Sequence, residues 1–315
     1  MRGWHYWRNL LLFTLCAVAL AAAGAMIWLA HWRAMALIHP RRTHPARTPA
    51  DLGIGNWEEV HFPSFHSEQA PAADGLQLGG WFIPPDPQGD GATLIYVHGL
   101  GTHRGELLSQ AAMLARHGYG ALLIDLRNHG ESEGTVTTLG YAEVEDVRGA
   151  VAYLLTRPEV DPERIGLVGC SMGGATAIRA AARIHEVRAV VAQCAYASVE
   201  DNVAEGMRAF VGLPTFPFAL LVVWFGEREA GVRLRQVRPI DDVAQIAPRA
   251  IMFVHGELDT AVPPQNSLRL YQAAGEPKAL YLVPNAGHGG FMAAGPAEFE
   301  RRVAGFLETH LRGRK

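Results

Sequence analysis

Gly169-Cys170-Ser171-Met172-Gly173-Gly174 is the stretch on which the fold of this chain turns. It follows the apolar run Ile165-Gly-Leu-Val168 and precedes an alanine-rich helical pattern over 175–184. A G-x-S-x-G motif between a strand and a helix reads as a nucleophile elbow, a strained turn that lifts a serine hydroxyl above the carboxyl edge of a sheet. Gly169 and Gly173 leave room for it, since a Cβ at either place crowds the turn. The bland alternative is a Gly/Ser-rich loop joining any strand to any helix. The surroundings decide between them.

Around the motif, strand and helix patterns alternate. Strands are expected at 58–65, 76–83, 92–98, 120–125, 165–168, 189–193, 250–254 and 279–283. The later ones are unbroken apolar runs with β-branched residues, as parallel strands covered on both faces require. Helices are expected at 106–117, 141–155, 173–184, 264–274 and 296–311. In the second of these, Val144, Val147, Val151 and Leu154 make one apolar stripe. The order predicts an α/β fold, a mostly parallel eight-stranded sheet with helices on both faces. No internal repeat is visible. One insertion, about 197–240, interrupts the rhythm. It carries the apolar run from Leu213 to Phe225 and reads as a lid of one or two helices or as a core helix with a long loop. Either should roof the elbow, with Phe216, Phe218 and Trp224 as candidate substrate-contacting side chains.

A serine hydroxyl needs a base, and the base needs a carboxylate to orient it. In elbow-type enzymes the chain order is Ser, then acid, then His. Here Asp259 follows the seventh strand and His288 the eighth, both on the strand edge where the elbow emerges and where such sheets bind ligands. Glu257 and Glu276 are rival acids, but one stands too near its strand end and the other past a helix. His98, His103, His129 and His255 are rival bases, each tied to an earlier strand end. The predicted triad is therefore Ser171, Asp259 and His288. An oxyanion needs two aimed N–H donors. Met172 N–H follows the nucleophile at a helix amino terminus. Leu100 N–H, in His98-Gly-Leu-Gly101, is the second candidate, and its side chain should line an acyl pocket. His98 is expected to brace that loop. Cys170 reads as a small packed residue.

The amino-terminal part has a separate logic. Residues 9–30 carry no charge and rise about 33 Å as a helix, enough to cross a hydrocarbon layer. Trp4, Tyr6 and Trp7 precede this span; Trp28 and Trp32 stand at its far end, as interfacial aromatics do. A cleaved signal peptide with Ala21-Ala22-Ala23 as its site is the competing reading, but the apolar run continues past it. Arginines flank both ends, so the side of the body is not decided. The expected organisation is an anchor over 1–35, a Pro/Arg-rich linker over 36–56, and a catalytic body over 57–315. Residues 1–50 hold six arginines and no acid, which leaves 22 basic residues against all 31 acids in the body. An acidic body argues against nucleic-acid binding. Three cysteines without paired spacing indicate no disulfide framework.

Five segments in order, Tyr96-Val-His-Gly-Leu-Gly101, Asp125-Leu-Arg-Asn-His-Gly-Glu-Ser132, the elbow, His255-Gly-Glu-Leu-Asp259 and Gly287-His288-Gly289, resemble the α/β-hydrolases. They are most similar to the serine-hydrolase branch related to prolyl-oligopeptidase-like and serine-aminopeptidase-like proteins. The resemblance runs from about Glu58 to the carboxyl terminus. It implies the α/β-hydrolase fold, the triad above, a structural role for the loop from Asp125 to Ser132, and no metal or organic cofactor. The long apolar lid departs from the pattern, and the anchor lies outside it. The expected activity is hydrolysis of apolar acyl or aromatic esters, a small-molecule acyl substrate being the partner together with the bilayer. A peptidase or amidase of the same fold is the alternative, and a silent membrane-tethered binding module the alternative of another class.

Overall fold

A computed structural model describes residues 2–65, 75–211 and 215–313. The chain enters as one long helix, α1 (Arg2–Ile38), turns at Pro49–Leu52, and forms the antiparallel pair β1 (Glu58–Pro63) and β2 (Gln77–Ile83). There follow β3 (Thr93–Val97), α2 (Leu108–Ala115), β4 (Gly120–Ile124), α3 (Glu143–Leu154), β5 (Ile165–Cys170), α4 (Met172–Arg183) and β6 (Val187–Gln193). Three helices, α5 (Val199–Val211), α6 (Thr215–Ala230) and the short α7 (Pro239–Asp242), separate β6 from β7 (Ala250–Gly256). The chain closes with α8 (Gln265–Ala273), β8 (Lys278–Val283), α9 (Phe291–Ala294) and α10 (Pro296–Leu307).

The sheet order is β1-β2-β4-β3-β5-β6-β7-β8; β2 is antiparallel to both its neighbours, β1 and β4, and all the other pairings are parallel. Every residue of β3, β4, β5 and β7 is buried, which is why those strands read as unbroken apolar runs. Two cores result, one on each face. One gathers α3, α4 and α6 with the end of α1; the other gathers α2, α9 and α10. This is the α/β-hydrolase fold.

The anchor and linker boundaries need correcting. α1 continues without a break to Ile38, and Ala30, Ala34 and Ile38, spaced four apart, are buried in the first core. The small side chains of Ala30 and Ala34 let α1 lie close along α6: the His31 and Phe225 rings meet edge-to-face at 5.1 Å, and His39 Nε2 stands 2.7 Å from Glu229 Oε1. The segment after Ile38 is likewise strapped to the body. Arg42 donates to the carbonyls of Ser132 and Gly134 at 2.5 and 2.7 Å, and Thr43 Oγ1 donates to Gly101 O at 3.2 Å.

The insertion after β6 is a pair of helices with one face in the core. Phe218, Ala219, Val222 and Val223 of α6 pack beside Leu139, Val199 and Val203. Leu213, at the start of the expected lid run, lies outside the described residues.

Candidate active site

Ser171 joins β5 to α4 with φ 54° and ψ −119°, a left-handed conformation that a non-glycine residue holds only when its surroundings force it. Three contacts do so. Ser171 N–H donates to Gln193 O at the end of β6 over 2.8 Å, and Ala175 N–H takes up Ser171 O at 3.0 Å. A Cβ on Gly173 would collide with Val97 O and His98 O, so α4 can start only by lying against the end of β3.

That same strand end carries the expected donor loop. Gly99 N–H is committed to Glu106 Oε2 at 2.6 Å, and Gly101 N–H to His129 Nε2 at 3.0 Å. Leu100 N–H, between them, meets no acceptor among the described residues. Met172 N–H, at the first helical position of α4, has no intrahelical acceptor either. The loop lies against the elbow: a Cβ on Gly99 would stand 3.4 Å from Ser171 Cβ. His98 and His129 brace it as neutral rings. His98 Nδ1–H donates to Gly99 O at 2.7 Å while its Nε2 accepts Leu126 N–H at 3.0 Å. His129 Nδ1–H donates to Arg127 O at 2.9 Å. Burial pushes the pKa of both rings down, and for His98 the His129 ring, 4.9 Å away between ring centres, lowers it further.

Asp259 lies in the turn after β7 with its carboxylate wholly buried. Oδ1 accepts Ala261 N–H and Val262 N–H, both at 2.9 Å; Oδ2 accepts His288 Nδ1–H at 2.7 Å. Burial works to raise this carboxyl, but hydrogen bonds from His255 and His288 outweigh it and hold Asp259 well below the usual carboxylate range. His288 follows β8 in a loop that presses on the Asp259 turn; a Cβ on Gly256 would collide with Ala286 O and Gly287 O. The side chain of His288 is about one-third exposed, at 31%. With Nδ1 engaged, Nε2 is the nitrogen open to a hydroxyl. Ser171 Oγ and His288 Nε2 share no hydrogen bond among the described residues, and contacts of this kind commonly tighten only with substrate in place.

The rival residues find other roles. His255 is fully buried: Nδ1 accepts from Ser267 Oγ at 2.7 Å, and Nε2 lies 2.8 Å from Val262 O and 3.2 Å from Asp259 Oδ2. Because Val262 O can only accept, Nε2 carries the proton and is shared with the carboxylate. Glu257 and Glu276 are exposed, and Glu276 caps Lys278 N–H at 3.1 Å. His103 accepts Gly105 N–H at 3.1 Å. Burial raises the Cys170 thiol, with Glu106, Cys194 and Asp259 adding to it, so it is no thiolate nucleophile. Cys194 was not singled out from the sequence. It holds φ 47°, and its Sγ clusters with His255 and Asp259 within 4.8 Å. Both His255 nitrogens and both Asp259 oxygens already have partners, so the cluster is a hydrogen-bonded support beneath the site.

The apolar substrate contacts expected from the lid are not assembled as foreseen. Leu100 packs half-buried against the first core beside the elbow. Phe218 is a core residue, 1% exposed, which removes it from the substrate site. Phe216 is 75% exposed on the outside of α6. Trp224, under the Arg228 guanidinium at 5.1 Å, lines an outward cavity of about 710 Å³ with Tyr141, Arg233 and Gln236, apart from the triad. A kink explains the split: Phe216 has extended backbone (φ −97°, ψ 135°) at the start of α6, whereas Phe218 lies in the regular helix that follows.

Comparison with known proteins bears on this geometry. The model of the prolyl oligopeptidase family matches residues 107–314. The uncharacterised protein YfhR of Salmonella typhi is 31% identical over 222 residues, 69% of this chain and 72% of that protein. The uncharacterised protein YqkD of Bacillus subtilis is 28% identical over 241 residues, covering 76% of this chain and 78% of its own. Among solved structures, the Pyrococcus furiosus esterase Pf2001 superposes with a TM-score of 0.71 at 26% identity, over 87% of this chain and 98% of that one.

Proposed function

The chain belongs to the prolyl oligopeptidase family and is a serine hydrolase, and on that premise we propose that it is a membrane-tethered carboxylic ester hydrolase working through an acyl-enzyme on Ser171. Ser171 Oγ attacks the ester carbonyl while His288 Nε2 takes its proton, and Asp259 steadies the imidazolium through Nδ1. The N–H groups of Leu100 and Met172 donate to the developing oxyanion. Collapse of the tetrahedral adduct releases the alcohol, which takes the proton from His288. A water that gives its proton to His288 then attacks the acyl group, and the adduct collapses to the carboxylic acid as His288 returns that proton to Ser171 Oγ. The Leu100 side chain is the acyl-facing wall nearest the elbow.

One observation carries this reading: a serine held at positive φ stands against a loop with an uncommitted N–H, while a His–Asp pair sits on the following strand ends of the same sheet edge. The preference for esters is supported by the likeness to the Pyrococcus esterase. The tether is supported by α1, which is long and apolar enough to cross a membrane, carries its apolar side chains exposed, and has exposed tryptophans at both ends of the uncharged stretch. A fluorophosphonate probe tests the nucleophile: it should label the full chain and not Ser171→Ala. A panel of nitrophenyl esters beside aminoacyl arylamides tests the class; faster arylamide turnover reverses it to a peptidase.

A further inference from the structure

α6 packs along α1 and against α5, and its sequence from Thr215 to Gly226, TFPFALLVVWFG, carries no charge before Glu227. α1 and α6 run in the same direction. Counting along both, His31 meets Phe225, Ile38 meets the Gly226 turn, and His39 meets Glu229. The amino-terminal end of α6 therefore points toward the uncharged stretch of α1. Leu220 lies about 7.5 Å beyond Phe225 in that direction, at about 1.5 Å per residue, and Phe216 precedes the regular helix.

On this end of α6 the exposed large apolar side chains are Leu220 and Trp224, one helical turn apart and 46 and 43% exposed, with Phe216, 75% exposed, at the extended start of the element. Met26 and Leu29 of α1 pack inward, while Ile27, Trp28 and Trp32 remain exposed beside them. These exposed apolar side chains stand on two helices that pack along one another, and soluble proteins rarely leave large apolar patches bare. Polarity then changes along both helices at one level. α1 reaches His31, Trp32 and Arg33; α6 reaches Trp224, Glu227 and Arg228. Arg228 lies over Trp224, and neither it nor Arg233, across the same cavity, makes an ion pair among the described residues. Tryptophan beside unpaired arginine is the chemistry of the headgroup layer.

We propose that the exposed apolar side chains on the uncharged amino-terminal part of α6 bed into the bilayer alongside α1, with Trp28, Trp32 and Trp224 in one interfacial belt and Arg228 and Arg233 at the lipid phosphates. The surface is a lipid-docking face, and it brings the hydrolase body down onto the membrane, within reach of acyl esters dissolved there. This rests on the tethered-hydrolase reading.

The test uses the full chain reconstituted in vesicles of phosphatidylcholine brominated near the headgroup end of its acyl chains. Trp224→Phe should remove a strongly quenched component of the tryptophan fluorescence, and Phe216→Ser/Leu220→Ser should cut turnover of a long-chain nitrophenyl ester held in the vesicles by tenfold or more. Nitrophenyl acetate turnover in water should stay within twofold for that double variant. Equal quenching with and without Trp224, together with normal long-chain turnover in the double variant, overturns the docking while probe labelling of Ser171 leaves the hydrolase standing. Absence of labelling and turnover in the wild type sinks the hydrolase reading instead, and the quenching still reports on the face. A double variant that dissociates a dimer in detergent, with quenching unchanged, assigns the face to a second copy and overturns the proposal.

Discussion

His288 Nδ1 donates to Asp259 Oδ2 over 2.7 Å, so the tautomer of His288 is set by a carboxylate that is itself wholly buried. Asp259→Asn keeps the volume but offers an amide N–H in some rotamers and turns the imidazole to the wrong tautomer. Ester turnover should fall about 10³–10⁴-fold with KM little changed. Steady-state kinetics beside a thermal melt check it, and an unfolded variant is recognised by the melt.

Stability should depend on pH through His98 and His129. Burial lowers the pKa of both in the folded state. The unfolded chain binds their protons below about pH 6.5, whereas the folded chain resists doing so. Their stabilising effect is therefore full above pH 6.5 and erodes as pH falls below it. Urea midpoints measured from pH 8 to pH 5 should decline for the wild type and decline less for His129→Gln.

Glu106 accepts Gly99 N–H at 2.6 Å and Thr102 Oγ1–H at 3.0 Å, and thereby holds the loop that presents Leu100 N–H. Glu106→Ala leaves a buried-loop amide unpaired, at about 1.5–3 kcal/mol for a charge-assisted bond. The loss should appear in kcat by tenfold or more, with KM for short esters nearly constant. A loss confined to the urea midpoint instead makes Glu106 a stability residue only.

Arg127 and Asp146 form a buried forked pair, with Nη2–Oδ1 at 2.6 Å and Nε–Oδ2 at 3.0 Å. Arg127→Met strands the carboxylate in the core and should destabilise by about 3–5 kcal/mol. Arg127→Met/Asp146→Leu should recover most of that loss. Urea unfolding of both variants, with nitrophenyl ester turnover as a check on the folded fraction, decides the matter.

The sheet-edge placement of the candidate site residues was legible because its signals are local. Ser171, Asp259 and His288 each sit just past a strand that reads as an unbroken apolar run, and the chain order of the three is a motif in itself. His255 and Cys194 were not, because their value lies in tertiary contacts: Ser267 and Val262 on one, the Asp259 carboxylate on both. The end of α1 was misread for a different reason. Ala30, Ala34 and Ile38 continue the apolar pattern of the span, and composition does not distinguish a face turned to lipid from one turned to α6. Likewise, an aromatic-rich run names no depth: Phe216 lies outside and Phe218 inside, on either side of a backbone kink.

Because α1 is one unbroken helix from Arg2 to Ile38, its outer and packed parts are locked in rotational phase. Adding one residue at Gly24 would turn everything before it by about 100° relative to the body and shift it by about 1.5 Å. The length of this helix is thus also an azimuth. A chain that lengthens it to suit a thicker bilayer keeps the same heading only by adding residues in whole turns.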